Sequence, residues 1–281
     1  MRNKLVTETM LRLLANARYE VLPTATAEDK VLEHVPTERV VTITASPSKG
    51  LEATLDLAER LCGHGYTVVP HLAARMISGR AELAEICDRL TGKGISRIFV
   101  PGGDADPAGD YPDAFSLLED LSALGNPFSH VGITGYPETH PTISDDLTVQ
   151  SMWDKRRHAT HIVSNLTFDP KAIRDWIGRL RARGVTMPLL LGIPGPVERA
   201  KLLNMATKIG VGESTRFLTK HRGTFLRLAA PGGFTGERFL EQCAPALAPP
   251  EARVEGLHVF TFNQIAETEG WRSGLIEQLR R

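Results

Sequence analysis

Short apolar runs alternate with longer amphipathic segments along almost the whole chain, and this alternation leaves few architectures open. The runs are Tyr19–Leu22, Val40–Thr44, Thr67–Pro70, Arg97–Val100, His130–Gly135, His161–Asn165, Met187–Ile193 and Leu257–Phe262. Most are continuous rather than alternating, as expected of parallel strands covered on both faces. Between them, helical periodicity predicts Leu51–Leu61, Arg80–Leu90, Asp113–Leu124, Asp146–His158, Pro170–Arg183 and Val197–Ile209, with Trp271–Leu279 at the end. Eight strands alternating with helices predict an α/β fold, the (β/α)8 TIM barrel. An open doubly wound sheet gives similar local signals, and the count of eight is what separates the two.

No linker, low-complexity tract or short repeat divides the chain, so residues 1–281 are expected to form one domain. Such a length is common for a single barrel. Residues 1–16 read as an N-terminal helical extension, its helix over 3–16, placed to cover the barrel bottom. Residues 213–250 read as an insertion before the last strand, with helices near Ser214–Leu228 and beyond "APGGF". Lys plus Arg and Asp plus Glu both total 33, which removes the usual electrostatic argument for nucleic-acid or acidic-membrane partners. Cys62, Cys87 and Cys243 are too scattered for a disulfide framework or a metal motif. No run approaches the roughly 18 apolar residues of a membrane span. The start of the chain is interrupted by Glu8, Arg12 and Arg18 and lacks a signal-peptide core. A cytoplasmic protein is therefore expected; its oligomeric state is left open, a monomer included.

In a barrel of this kind the chemistry sits where strands end and loops begin. Those ends present Glu20, Ser46, His71, Asp104, the run "GYPETHP" (Gly135–Pro141), Asn165, "GIPGP" (Gly192–Pro196) and Phe262. Nothing among them suggests an activated serine or cysteine, and the His and acidic residues lack metal-ligand spacing. No metal is expected. "PGGDADP" (Pro101–Pro107) has neither the spacing nor the helix start of a phosphate loop, and suits a turn that brings backbone close to a ligand.

Taken in order, "YEVLP" (19–23), "VPHLAAR" (69–75), "VPGGD" (100–104), "GYPETHP" (135–141), "SNLTFD" (164–169), "LLLGIPGP" (189–196) and "GLHVFTFN" (256–263) resemble the methylenetetrahydrofolate reductase family. The resemblance spans nearly the whole chain, and Tyr-Pro-Glu-x-His-Pro is its most specific element. It implies an oxidoreductase that reduces 5,10-methylenetetrahydrofolate to 5-methyltetrahydrofolate with NADH or NADPH, in most members through bound FAD. Glu20 matches the family's proton donor, which helps open the folate's five-membered ring to an iminium. A carboxyl at a desolvated strand end is expected to have a raised pKa; pairing with a barrel arginine is the alternative. Asp104 matches the family aspartate beside flavin and pterin, and an acceptor-only carboxylate suits a pterin N–H edge. Asn165 stands where the family has a folate-contacting glutamine. His71, Tyr136, Glu138 and His140 match residues of the cofactor cleft, with plain rim packing as the competing role for each. Ser46 and Ile193 are further cofactor-side candidates, and Phe262 is a candidate substrate wall.

The flavin-holding parts depart from the family. Where relatives carry Thr-Tyr-Gly-Ala after strand two, this chain reads "TASPSKG", and the arginine of Leu-Arg-Gly-Asp is Gly102. The family lysine near strand six has no unique match in "DKRR" (Asp154–Arg157). These departures resemble the flavin-independent branch, in which NADH passes hydride directly to the folate. FAD is therefore expected to be absent, with NADPH open as an alternative donor. The rival classes are the FAD-dependent reductase, a folate-dependent methyltransferase and a non-catalytic pterin-binding barrel. Three scattered cysteines offer no thiol cluster for methyl transfer, and Glu20 with Asp104 argues against lost catalysis.

Overall fold

The computed structural model describes residues 3–103, 105–106, 108–137, 145–167, 169–196 and 235–281. The eight expected strands are all present: β1 (Ala17–Val21), β2 (Val40–Ile43), β3 (Thr67–Pro70), β4 (Arg97–Val100), β5 (His130–Gly135), β6 (His161–Ser164), β7 (Leu189–Pro194) and β8 (Val254–Phe260). They form one parallel sheet in the order β3-β2-β1-β8-β7-β6-β5-β4. The two edges meet at a parallel bridge between His71 and Phe99. Leu72 N–H donates to the Phe99 carbonyl at 2.8 Å and Ala74 N–H to that of Pro101 at 3.0 Å. The sheet is thereby rolled into a (β/α)8 barrel, as the strand count predicts.

The helices are α1 (Lys4–Ala15), α2 (Ala27–His34), α3 (Gly50–Gly63), α4 (Arg80–Gly92), α5 (Ala114–Ala123), α6 (Asp145–Lys155), α7 (Pro170–Ala182), α8 (Gly236–Leu247) and α9 (Ile265–Arg280). Sequence periodicity misses α2 because it buries only Ala27 and Val31 and is otherwise largely polar. Its ends are nonetheless marked, with Glu28 and Asp29 in the first turn and His34 in the last, where they complement the helix dipole. The expected helices Val197–Ile209 and Ser214–Leu228 lie outside the described residues. The second helix of the expected insertion is α8. Among the described residues no helix is long and apolar enough to cross a membrane.

Most of the core lies between strands and helices, where β6 and β7 are buried along their whole length. Trp176 of α7 is fully buried, and its ring fits only because β5 offers Gly135. A Cβ there would stand 2.6 Å from the indole. Three elements are tied by one polar cluster. Arg272 of α9 grips Glu269 at 2.7 and 2.9 Å, Tyr19 of β1 donates to the same carboxylate, and Arg272 reaches the Leu14 carbonyl of α1 at 3.4 Å. Inside the barrel, Val40, Val69, Phe99, Val163 and Leu190 form a separate apolar cluster. Polar side chains occupy both ends of that interior: Glu20 and His71 near the carboxyl ends of their strands, Arg18, Arg97, His130 and His161 near the starts.

Candidate active site

Glu20 points into the barrel because β1 alternates. Tyr19 and Val21 are fully buried in the outer core, which leaves Arg18 and Glu20 on the inner face. Register places Glu20 beside Thr42 on one side and Phe260 on the other. Its Oε2 lies 2.8 Å from His258 Nε2 and 3.7 Å from His71 Nε2. His71 Nε2 is in turn 2.7 Å from the Thr42 hydroxyl, and its ring rests on Phe99 with centroids 4.6 Å apart.

Burial pushes the His71 pKa down to about 4, with Glu20 opposing, so this ring is neutral near pH 7. Burial pushes the Glu20 carboxyl up, but the hydrogen bond from His258 and the potential of His258 and His71 outweigh it and leave its pKa below the usual range. The sequence expectation of a raised pKa is therefore corrected. It considered desolvation alone and missed the histidine on β8. His258 is 2% exposed, and its other nitrogen, Nδ1, is buried without a partner. The arrangement suits an imidazole that donates from Nε2 to the ionised Glu20 carboxylate.

Above Glu20 opens a cleft of about 550 Å³. Of the residues expected from sequence, Glu20, His71, Tyr136 and Asn165 line it together. Asp104, Glu138 and His140 lie outside the described residues. Ser46 stands just off the lining, its hydroxyl 3.0 Å from that of Ser48, while its neighbours Ala45 and Pro47 form wall. Ile193 is fully buried in the outer core, because the inward positions of β7 are Leu190, Gly192 and Pro194. Phe262 is not part of the lining either. β8 ends at Phe260, which takes that place, and Phe262 follows in a turn with φ of 50°. Two residues share a face at a spacing of two, so alternation alone cannot choose between Phe260 and Phe262.

Sequence reasoning also missed His258, Thr42, Arg75 and Lys155. Arg75 and Lys155 are the cations of the cleft wall. Arg75 is held by its Nε on the Pro112 carbonyl at 2.8 Å, and burial lowers the Lys155 pKa against the pull of Asp113 and Asp154. Within "DKRR", Lys155 faces the cleft, whereas Arg156 stacks on the Trp153 ring at 3.6 Å. Asn165 is fixed through its backbone N–H on Gly135 at 2.7 Å, and its Oδ1 accepts from Leu166 N–H at 2.7 Å. Gly102 lines the same cleft, and the nearest atom to a Cβ built there is the Ala114 nitrogen at 4.0 Å. A Cβ has room at this point.

Residues 25–268 match the profile of the family described as Methylenetetrahydrofolate reductase. The chain belongs to that family. Family membership makes it an oxidoreductase acting on a folate. Similar solved structures include a putative lyase/mutase from Burkholderia cenocepacia J2315, at 15% identity over 99% of this chain and 87% of that one, with a TM-score of 0.50. A second is the GH18 chitinase ChiB from the chitin utilization locus of Flavobacterium johnsoniae, at 10% identity over 94% of each chain and a TM-score of 0.53. At such identities both likenesses concern the barrel fold alone. Arg75 and Lys155 put two cations on the wall of this reductase-family cleft, and Pro47 and Gly102 line the same cleft without a backbone N–H donor and without a side chain respectively.

Proposed function

We propose that this protein reduces 5,10-methylenetetrahydrofolate to 5-methyltetrahydrofolate with NADH, by direct hydride transfer and without flavin. The observation that carries the reading is Glu20 at the floor of the cleft, hydrogen-bonded to His258 and walled by Asn165, Phe260 and Tyr136. Hydride leaves the nicotinamide for the methylene carbon as an iminium at N5, and one proton goes to N10 as the five-membered ring opens. NAD⁺ and the 5-methyl product result. The acid is the Glu20–His258 pair one proton above its resting state, with the mobile proton along the Nε2–Oε2 hydrogen bond. It reaches Glu20 as the substrate nitrogen draws it away.

Direct transfer needs donor and acceptor carbons about 3–3.5 Å apart, so one cleft must hold pterin and nicotinamide face to face. Arg75 and Lys155 would hold the dinucleotide's diphosphate, with Asn165 on the pterin. The flavin-free form is supported by Pro47 and Gly102 on the cleft wall, where relatives carry flavin-contacting residues. The same reaction through bound FAD is the second reading, favoured by Lys155 on the cleft wall, the lysine of the stretch that has no unique match to the family's. The absorption spectrum of freshly purified protein separates the two. Absence of flavin bands, together with methylenetetrahydrofolate-dependent NADH oxidation, is the expected result; stoichiometric flavin would overturn direct transfer. Glu20→Gln should abolish turnover while leaving NADH binding in place, and near-normal turnover would remove Glu20 from the chemistry.

A further inference from the structure

At the other end of the barrel, the strand starts gather a basic ring that the folate chemistry does not use. Arg18 comes from the inner face of β1, Arg97 and His130 stand paired in register at the starts of β4 and β5, and His161 begins β6. Arg18 Nη1 lies 3.2 Å from His161 Nε2. A guanidinium only donates, so His161 accepts at Nε2 and carries its proton on Nδ1, 3.0 Å from the Thr160 hydroxyl. Burial, then Arg18, His130, His258 and Arg97, push the His161 pKa down to about 3. Burial followed by Arg97 lowers Arg18 to about 10, with Glu255 alone opposing, and His130 is lowered by burial, Arg97 and Arg18. Among the described residues neither Arg18 nor Arg97 forms an ion pair with a carboxylate.

A cavity of about 530 Å³ opens onto Arg18 from this end. Its floor is apolar, from Val40 and Leu190, and its exposed rim carries Glu38 and Glu255. Two further arginines line it but are committed. Arg12 donates to the carbonyls of Leu247 and Val254, and Arg39 donates to that of Ala15. Arg39 Nε remains buried without a partner. Arg18 therefore faces the cavity with most of its five donors unspent, beside the unused Nε of Arg39, and the Arg97 guanidinium lies close enough to depress the Arg18 pKa.

We propose that this cavity binds the dianionic phosphate group of a small organic molecule. Like charges gathered away from bulk water repel, and the ring keeps its histidines neutral to limit that repulsion. A dianion offsets both fixed charges, Arg18 and Arg97, whereas a carboxylate offsets one. The guanidinium fork matches oxyanion geometry, and the Val40–Leu190 floor receives the organic part. An anion on Arg18 also raises the proton affinity of His161, which Arg18 touches, and of His130, which Arg18 depresses, and linkage is reciprocal.

The test uses the full chain with inorganic phosphate as probe and chloride at matched ionic strength as control, and it needs no assumption about turnover. Calorimetry at about pH 8, where inorganic phosphate is already the dianion, should show saturable binding at about 1 mM or tighter. NMR of the imidazoles should show His161 and His130 titrating at higher pH in phosphate, also with NADH present to occupy the upper cleft. Arg18→Met should weaken binding about tenfold or more. Should that variant fail to fold, Arg39→Gln, which removes the other unused donor of the lining, decides by the same criterion. Phosphate that leaves both histidine titrations where chloride leaves them overturns the proposal, as does undiminished affinity in Arg39→Gln.

Discussion

Two histidines inside the barrel are held neutral, so mild acid should destabilise the protein before its carboxylates titrate. His71 and His161 are 6% and 8% exposed, and burial is the largest cause lowering their pKa values to about 4 and about 3 from an ordinary 6.5. In the unfolded chain each takes up a proton near pH 6.5. In the folded chain neither does until pH falls to those lower values. Across this window the unfolded state binds more protons, and stability falls as pH falls. Each group removes up to about 1.4 kcal/mol per pH unit, so going from about pH 7.5 to pH 5 should remove about 4 kcal/mol for the pair. His130, lowered for the same first reason, acts in the same direction. Glu20 has the opposite character: its depressed carboxyl contributes stability above the ordinary carboxylate range and loses it only as pH drops further. It therefore stays out of the window. A domain typically has about 5–15 kcal/mol to lose, so the effect is large. Urea unfolding followed by circular dichroism across that range measures it. His161→Asn, which keeps an acceptor for Arg18, should roughly halve the slope. A stability constant to within about 1 kcal/mol over the range, or an unchanged slope in His161→Asn, would refute the reasoning.

Gly132→Ala should cost about 1–3 kcal/mol by overpacking, because a Cβ there meets His161 Nε2 at 2.8 Å and the Phe99 ring at 3.0 Å; thermal denaturation reads this directly. Asp169 caps α7 by accepting from Lys171 N–H at 2.8 Å, and Asp169→Ala should lower stability by about 1 kcal/mol in the same measurement. His258→Asn removes the strongest influence holding the Glu20 pKa down, so burial should dominate and the alkaline limb of the kcat profile should move to higher pH. An unmoved limb would mean that the two groups do not share the proton.

The barrel was readable because parallel strands buried on both faces leave continuous apolar runs, and eight of them survive in the sequence. The short helix α2 was not, since two buried side chains set no period. At the site, what a strand end presents was readable and what crosses the barrel was not. Glu20, His71 and Asn165 each follow from their own strand. His258 meets Glu20 only through the β8–β1 register, 238 positions away in sequence, and it reverses the direction of the Glu20 shift. Which of Lys155 and Arg156 faces the cleft depends on where α6 stops: Lys155 is its last residue, and Arg156, one past it, lies on Trp153.

The barrel's seam has a further consequence. The strands flanking it, β3 and β4, are consecutive in the chain, yet among the described residues they join through one β-bridge, His71–Phe99, and the backbone hydrogen bonds just after it, with no long ladder. The residue that clasps the ring shut is also the one standing beside Glu20. A breathing motion that unzips this junction therefore carries His71 away from Glu20. Exchange of the Leu72 amide proton, bonded across the junction to Phe99, becomes a clock for how often that contact is lost.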